Sequence, residues 1–287
     1  MAASVPTMHG KICLVTGATS GVGLLTAQAL AQQGATVVVG ARDAERGANT
    51  VDRIKRATGN TAVQWVLADL SVQAQVRQLA EDIRHRLSRL DLLINNAGAI
   101  FSTRRLSADG IEMTLALNHL GYFLLTHLLL DVLKASADAR IVNVASNAHW
   151  RGRIDFDDIQ GERRYRGWRA YCQSKLANIS FTYELARRLS GSRVTVNTLH
   201  PGFVATGFGL NNGGWFGSFM KVAQLAALSP AEGAETMIYL ATSPRVAGVS
   251  GRYFVKKRAV KSSKASYDRS AAQRLWQLSA ALTDADV

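Results

Sequence analysis

Short apolar runs alternate with stretches of helical period along most of this 287-residue chain. The runs are rich in Val, Ile and Leu and lack alternating polarity, which predicts parallel strands buried on both faces. They occupy residues 11–16, 36–40, 62–67, 91–95, 140–145, 193–199 and 253–255, and the main helices are expected near 24–33, 43–58, 71–87, 110–133, 171–189 and 230–241. The pattern predicts an α/β fold, a Rossmann-type doubly wound parallel sheet built by a single domain over residues 1–287.

Charge and cysteine content narrow the function classes. The chain carries 34 Lys and Arg against 21 Asp and Glu, a formal charge of +13, yet no helix-turn-helix, zinc-finger or base-stacking motif accompanies it, so we expect no nucleic-acid partner. Cys13 and Cys172 form neither a disulfide framework nor a metal motif, and we expect no metal site. The first ten residues do not resemble a signal peptide, which predicts a cytoplasmic protein. The basic segment 252–264 is a candidate for peripheral contact with anionic lipid.

A glycine-rich turn follows the first strand and opens a helix. Glycines allow positive φ and close backbone approach, and a helix N-terminus offers free N–H groups and a positive dipole end to a pyrophosphate. The spacing is GxxxGxG rather than the more common GxGxxG. The candidate phosphate-binding residues are Gly17, Thr19, Ser20, Gly21, Val22 and Gly23.

The residues after the second strand distinguish the two nicotinamide dinucleotides. An acidic residue there binds the ribose 2′-hydroxyl of NAD, whereas an arginine suits the 2′-phosphate of NADP. Ala41 supplies no carboxylate, and the planar guanidinium of Arg42 can bind a phosphate. Asp43 could face the ribose instead, but its position fits an N-cap of the following helix. The sequence therefore predicts NADP(H) as cofactor.

A proton-transfer group is expected on a later helix. Tyr171 and Lys175 are four residues apart and so share one helix face. A phenol with a pKa of about 10 is a poor acid or base at neutral pH, and a neighbouring ammonium should lower that pKa. Ser146, just past the fifth strand, can hydrogen-bond a substrate oxygen. A Tyr/Lys pair on a helix usually lies on the protein surface and has no catalytic role. Here the glycine turn and the Asn95–Gly98 segment in the same sequence favour a catalytic role.

Together, TGATSGVG, NNAG, Ser146 and YCQSK resemble the short-chain dehydrogenase/reductase superfamily. The resemblance implies Tyr171 as general acid/base, Lys175 as ribose ligand, Ser146 as substrate-orienting hydroxyl and Asn118 as a member of the proton relay. It also implies that cofactor contacts come from a further set of residues. These are Asp69, Leu70, Asn96, Ala97, Gly98, Pro201, Gly202, Val204 and Thr206, together with Tyr171 and Lys175 themselves.

A closer resemblance, over nearly the whole chain, is to retinol dehydrogenases that act as NADPH-dependent retinal reductases. It rests on NHLG at 118–121, GRIDFD at 152–157, AYCQSKLAN at 170–178 and LHPG at 199–202. It implies reduction of an apolar aldehyde or ketone such as retinal, or the reverse oxidation. Long-chain aldehydes, steroids and a protochlorophyllide-like compound are alternative substrates; the last is less favoured, because light-dependent protochlorophyllide reductases share NHLG and the Tyr-x-x-x-Lys spacing but differ in the loop before the Tyr. Leu117 and Tyr122 depart from the common pattern.

Two further expectations concern the substrate side and assembly. The loop 151–169 and an apolar lid segment, 203–228, should line the substrate site. The family often forms dimers or tetramers, so a homo-oligomer is expected by resemblance alone.

The competing function is a non-catalytic NADPH-binding regulatory protein. Such a protein would need the glycine turn and Arg42, but it would not need the set of Asn118, Ser146, Tyr171 and Lys175.

Overall fold

A computed structural model of the chain describes residues 8–202 and 229–286. Within them, one sheet of eight strands has the order β3-β2-β1-β4-β5-β6-β7-β8, and all neighbours are parallel except the last pair. The strands are β1 Ile12–Thr16, β2 Thr36–Ala41, β3 Val63–Leu67, β4 Leu92–Asn95, β5 Arg140–Val144, β6 Thr195–His200, β7 Tyr253–Val255 and β8 Arg258–Val260. The predicted doubly wound α/β sheet is confirmed.

Helices cover both faces of this sheet. They are α1 Gly21–Gln32, α2 Ala44–Thr58, α3 Gln73–Arg86, α4 Met113–Leu115, α5 Gly121–Leu128, α6 Leu130–Lys134, α7 Gly167–Arg188, α8 Pro230–Thr242 and α9 Arg269–Thr283. Side chains of α1, α2 and α8 form one buried cluster, and those of α3, α5, α7 and α9 form the other. Successive strand residues enter opposite clusters, Val37 and Val39 one and Val38 the other, because side chains alternate across a strand.

The helix predicted over 110–133 is present over most of that range but is not regular. It is divided into α4, a π-helical turn Ala116–Leu120, α5 and α6. A π turn inserts one extra residue into the helical ladder and often marks a functional site. Here it carries Asn118, whose side chain bonds to a neighbouring loop instead of lying along the helix surface.

The C-terminal part contains two elements that the sequence patterns do not indicate, β8 and α9. All three residues of β8 are exposed, so no apolar run marks it. The two-residue turn before it consists of Lys256 and Lys257, both with positive φ (48° and 63°), where Asn and Gly are the usual residues. Among the described residues, no helix is both long and apolar enough to cross a membrane.

Candidate active site

The candidate site residues lie where strands β1, β4 and β5 end. From β1 the chain proceeds outward to β2 and then β3, whereas β4 lies on the other side of β1. A crevice for ligands opens at such a reversal of strand order, beyond the carboxyl ends of the strands. The glycine turn follows β1, the segment 96–98 follows β4, and Ser146 follows β5. The topology therefore brings these three segments to one edge.

The glycine turn and the segment after β4 are bonded to each other. Asn96 Nδ2 donates to the carbonyls of Thr16 and Gly17 at 2.9 and 3.0 Å. Gly17 has a φ of +63°, and a Cβ there would lie 2.7 Å from Ala97 Cα. A Cβ on Gly23 would lie 2.5 Å from Asn96 Nδ2. Both glycines are therefore required by close packing as well as by any ligand.

The start of α1 fits a phosphate group. Ser20 is the N-cap residue but makes no side-chain capping hydrogen bond, and the first turn of α1 contains no acidic residue. The first N–H groups of a helix lack intrahelical acceptors and carry the positive end of the dipole. Thr19 and Val22 belong to the same turn. A pyrophosphate would satisfy these donors, so the residues present fit a dinucleotide.

The ends of β2 and β3 carry the residues expected near the adenosine half of a dinucleotide. Arg42 is exposed just past β2. Asp43 caps α2, since its carboxylate accepts from Arg46 N at 2.8 Å. The Asp69 carboxylate accepts from Ser71 N and Oγ at 2.9 and 2.7 Å. Because the Asp43 carboxylate caps α2, it does not face the ribose. Arg42 is then the charged side chain at the end of β2 that can do so.

Asn118 is held rigidly at the centre of the site. It is fully buried, its Oδ1 accepts from Ala99 N at 2.9 Å, and its Nδ2 donates to the Ala99 carbonyl at 2.9 Å and to Ser174 Oγ at 3.0 Å. A Cβ on Gly98 would lie 3.1 Å from Asn118 Oδ1 and 3.5 Å from Lys175 Nζ. The absence of a side chain at Gly98 therefore lets the end of β4 approach both polar groups.

Helix α7 brings Tyr171 and Lys175 to Ser146, as their spacing predicts. Tyr171 shares a hydrogen bond with Ser146, whose Oγ also accepts from Ala148 N at 3.2 Å. Lys175 Nζ donates to the Val144 carbonyl at 3.1 Å and lies 5.7 Å from the centre of the Tyr171 ring. Tyr171 is 7% exposed and Lys175 only 3%. The phenol, the hydroxyl and the amine thus form one buried polar group.

The electrostatic effect expected of Lys175 is not found. Burial raises the pKa of Tyr171 above its ordinary value, and the hydrogen bond with Ser146 offsets this in part. Burial also lowers the pKa of Lys175 to about 7. Near neutral pH the amine is only partly charged, so it cannot act as a full ammonium beside the phenol. Because burial raises its own pKa, Tyr171 is a neutral phenol near neutral pH, which is the form that donates a proton.

The substrate side is described in part. Pro201 and Gly202 follow β6, whereas Val204, Thr206 and the predicted lid 203–228 lie outside the described residues. In the described part, Trp168 lies 5.8 Å from the Tyr171 ring and is 48% exposed. No pattern in the sequence marks this tryptophan, because an isolated aromatic residue at a helix start carries no periodicity.

One structural residue of the site is absent from the sequence predictions. The Thr16 hydroxyl accepts from Asn96 N at 2.9 Å and Ala97 N at 3.2 Å and donates to the Ile94 carbonyl. It therefore fixes the segment after β4 against the glycine turn. Its position directly before the first glycine is the only signal that could have revealed it.

Fold and site together define an oxidoreductase with a dinucleotide-binding sheet. The chain belongs to the short chain dehydrogenase family, whose model matches residues 11–213. This family uses NAD(P)(H). The resemblance inferred from the motifs is thereby confirmed.

Curated relatives and solved structures agree with this assignment. Human retinol dehydrogenase 14 is 42% identical over 95% of this chain and 86% of its own length, and human retinol dehydrogenase 11 is 42% identical over 95% and 85%. A crystal structure of a Mycobacterium Paratuberculosis protein superposes with a TM-score of 0.79 at 33% identity, covering 100% of this chain and 98% of that one. A Pseudomonas aeruginosa RhlG/NADP active-site complex superposes with a TM-score of 0.68 at 30% identity, covering 86% and 95%.

Proposed function

We propose that this chain is an NADP(H)-dependent reductase of apolar aldehydes or ketones, with retinal as the best candidate substrate, and that it also catalyses the reverse oxidation. The observation that carries the proposal is the buried group of Tyr171, Ser146 and Lys175 beside the glycine turn. A regulatory protein that only binds nucleotide has no use for a desolvated phenol hydrogen-bonded to a serine.

The chemistry follows from the state of these residues. A bound reduced nicotinamide would supply hydride to the carbonyl carbon of the substrate. The hydroxyls of Tyr171 and Ser146 orient the carbonyl oxygen, and the Tyr171 phenol gives its proton to that oxygen as negative charge develops. Lys175, with a pKa of about 7, exchanges protons readily near neutrality. Asn118 keeps the loop after β4 in place beside both groups.

The choice of NADP(H) rests on the end of β2. Asp43 caps α2 and Arg42 is exposed, which is the arrangement that suits a 2′-phosphate. The Pseudomonas aeruginosa complex and an Escherichia coli relative complexed with NADPH, 25% identical with a TM-score of 0.71, support the same choice.

An apolar substrate is supported by the surroundings of the phenol and by the relatives. Tyr171 packs in a buried cluster with Ile100, Ala148 and Cys172, and Trp168 extends that surface toward solvent. The retinol dehydrogenases named above are related over nearly the whole chain. Long-chain aldehydes and steroids would use the same surface, so all three classes belong in an activity screen with NADPH.

The decisive experiment replaces Tyr171 by Phe. We expect retinal-dependent NADPH oxidation to fall by about 100-fold or more, because proton transfer is worth roughly that much, while NADPH binding followed by fluorescence is nearly unchanged. Tyr183→Phe is the matched control: it removes a phenol from the same helix whose hydroxyl bonds outside the site, to Ser262 Oγ at 2.7 Å and to Tyr267. Equal activity of the Tyr171 variant and the wild type would refute the enzyme assignment and favour the nucleotide-binding regulator.

We further propose that the enzyme is cytoplasmic and that it contacts anionic membranes through the β7–β8 hairpin and the residues that follow it, up to Tyr267. Lys256, Arg258, Lys261 and Lys264 are exposed there. Two large apolar side chains are exposed among them, Val260 at 43% and Tyr267 at 52%. Cations attract anionic headgroups and apolar side chains enter the interface, which suits an enzyme whose substrate dissolves in lipid.

A further inference from the structure

A chain of buried polar groups connects α9 to Asn118. Ser279 Oγ lies 2.9 Å from His119 Nε2, and His119 Nδ1 lies 3.2 Å from Asn178 Oδ1. Asn178 Nδ2 donates to the Asn118 carbonyl at 2.9 Å and to the Val144 carbonyl at 3.4 Å. The four residues of this hydrogen-bonded series are Ser279, His119, Asn178 and Asn118, and none of them is more than 1% exposed. Ser279 and His119 are 160 residues apart in sequence.

The donor and the acceptor of each hydrogen bond in this series can be deduced. Two carbonyls require donors from Asn178, so its NH₂ group faces them and its Oδ1 faces His119. His119 Nδ1 must then carry the hydrogen. Burial lowers the pKa of His119 to about 4, so the ring is neutral and Nε2 is an acceptor. Ser279 therefore donates to Nε2, although its Oγ also lies 2.7 Å from the Leu275 carbonyl.

The alternative hydrogen arrangement is unfavourable. If Ser279 donated to Leu275, Nε2 would carry the hydrogen and the lone pairs of Nδ1 and Asn178 Oδ1 would face each other. Two buried acceptors without a hydrogen between them are costly. The Leu275 carbonyl, in contrast, lies one turn earlier in α9 and is served by the backbone N–H of Ser279.

We propose that His119 is a positioning residue of the active site: its Nδ1–H tautomer fixes the Asn178 amide, and that amide fixes the carbonyls of Asn118 and Val144. The Val144 carbonyl also accepts from Lys175 Nζ at 3.1 Å. A shift of this carbonyl would move the amine relative to Tyr171. Ser279 of α9 thereby helps to position the groups of the active site through His119. This inference rests on the proposed oxidoreductase function.

The tautomer is tested first, by ¹⁵N NMR of the full chain labelled at histidine, with His119 assigned from a variant that lacks it. We expect protonated Nδ1 and unprotonated Nε2 at neutral pH. Ser279→Ala should shift the Nε2 resonance, because that nitrogen loses its donor. Thr283→Val, which removes a buried hydroxyl bonded only within α9, should leave it unchanged. A hydrogen found on Nε2 of the wild type would overturn the proposal.

Kinetics with NADPH and retinal then test the consequence. His119→Leu should lower kcat by about tenfold or more, as small displacements of reacting groups do, with the KM for NADPH changed less than about twofold. His119→Asn retains an N–H near the position of Nδ1 and should restore most of kcat. Equal losses in the Asn and Leu variants, or no loss in either, would contradict the proposal.

Two further measurements distinguish a failure of this proposal from misfolding of the variant and from a failure of the proposed function. Should His119→Leu not fold, Ser279→Ala against Thr283→Val provides the same comparison: we expect kcat to fall only in the first, and equal kcat values would count against the proposal. If the wild type shows no NADPH-dependent reduction of any carbonyl, the proposed function fails while the NMR result still reports on the tautomer.

Discussion

Tyr122 carries a buried phenolic hydroxyl with no hydrogen-bond partner among the described residues. Its ring lies 5.9 Å from Lys175 Nζ, so the unpaired group is close to the catalytic centre. Leaving a buried hydroxyl unpaired costs about 1 to 3 kcal/mol. The position is also one of those at which this chain departs from the retinol dehydrogenase pattern.

Replacement of Tyr122 by Phe should therefore raise the free energy of unfolding by about 1 kcal/mol and leave retinal reduction unchanged. Urea denaturation measures the first quantity and NADPH oxidation the second. A destabilised variant would mean that the hydroxyl has a partner such as a buried water molecule. A loss of activity without loss of stability would instead make Tyr122 a participant in proton transfer.

Arg42 offers a test of cofactor choice at the same scale. A charge-assisted hydrogen bond contributes roughly 1.5 to 3 kcal/mol, so Arg42→Ala should raise the KM for NADPH by about tenfold or more and leave the KM for NADH almost unchanged. Arg56→Ala, at the opposite end of α2, is the control and should alter neither value. Equal changes for the two dinucleotides would show that Arg42 does not bind the 2′-phosphate.

Among the elements, the β7–β8 hairpin is defined by an unusual turn. Lys256 and Lys257 adopt positive φ, which is unfavourable for residues other than Gly, Asn and Asp. Lys257 is tied down by an ion pair with Glu235 at 2.7 Å and by its backbone N–H, which donates to Thr236 Oγ1 at 3.2 Å. Strained residues of this kind persist where the surrounding structure holds them. The turn therefore presents its charges at a fixed place on the sheet edge.

The hairpin allows a direct test of membrane contact. The triple variant Lys256→Asn, Arg258→Gln, Lys261→Gln should bind phosphatidylserine vesicles about 100-fold more weakly at low salt, since each basic residue near the surface contributes roughly 1 kcal/mol. Asn tolerates the turn conformation, so the fold should survive. A control triple variant on α2, with Arg53, Lys55 and Arg56 changed to Gln, should bind as the wild type does. Wild-type protein that does not sediment with these vesicles would remove the membrane role.

For the whole molecule, the buried amine of Lys175 couples stability to pH. Its pKa is about 7 in the folded protein and about 10.5 in its ordinary state. Between these values the unfolded chain binds the extra proton, so the free energy of unfolding rises with pH across this window. Below pH 7 both states are protonated, and the cost of burying the charge is fully present.

Comparison with Lys175→Met isolates this contribution. The variant should be more stable than the wild type at pH 6, by an amount on the order of a few kcal/mol, and its advantage should shrink steadily as the pH rises toward 10. Chemical denaturation at several pH values measures the difference, and Lys55→Met on the surface of α2 should show no such trend. A constant difference across the range would mean that Lys175 keeps an ordinary pKa.

The sequence by itself predicted the sheet and the order of the site segments, and its motifs gave the candidate catalytic residues that the fold brings to one edge of the sheet. Val and Ile runs without alternating polarity, separated by helical segments, suit a parallel sheet that is buried on both faces, and in such a sheet the carboxyl ends of the strands meet at one edge. The spacing of Tyr171 and Lys175 fixes their common helix face. Asp43 as a helix cap could also be anticipated, because capping is local chemistry within three residues.

Only the tertiary structure decided how strongly each of these groups ionises and what holds it in place. The pKa values of Tyr171 and Lys175 depend on burial, which no local pattern reports, and burial raises the pKa of the phenol, whereas the sequence predicted that the amine would lower it. The contact of His119 with Ser279 exists only because α9 packs beside the π turn, although the two residues are far apart in the sequence. Local chemistry can be inferred from neighbours in sequence, whereas solvation and distant contacts exist only once the chain has folded.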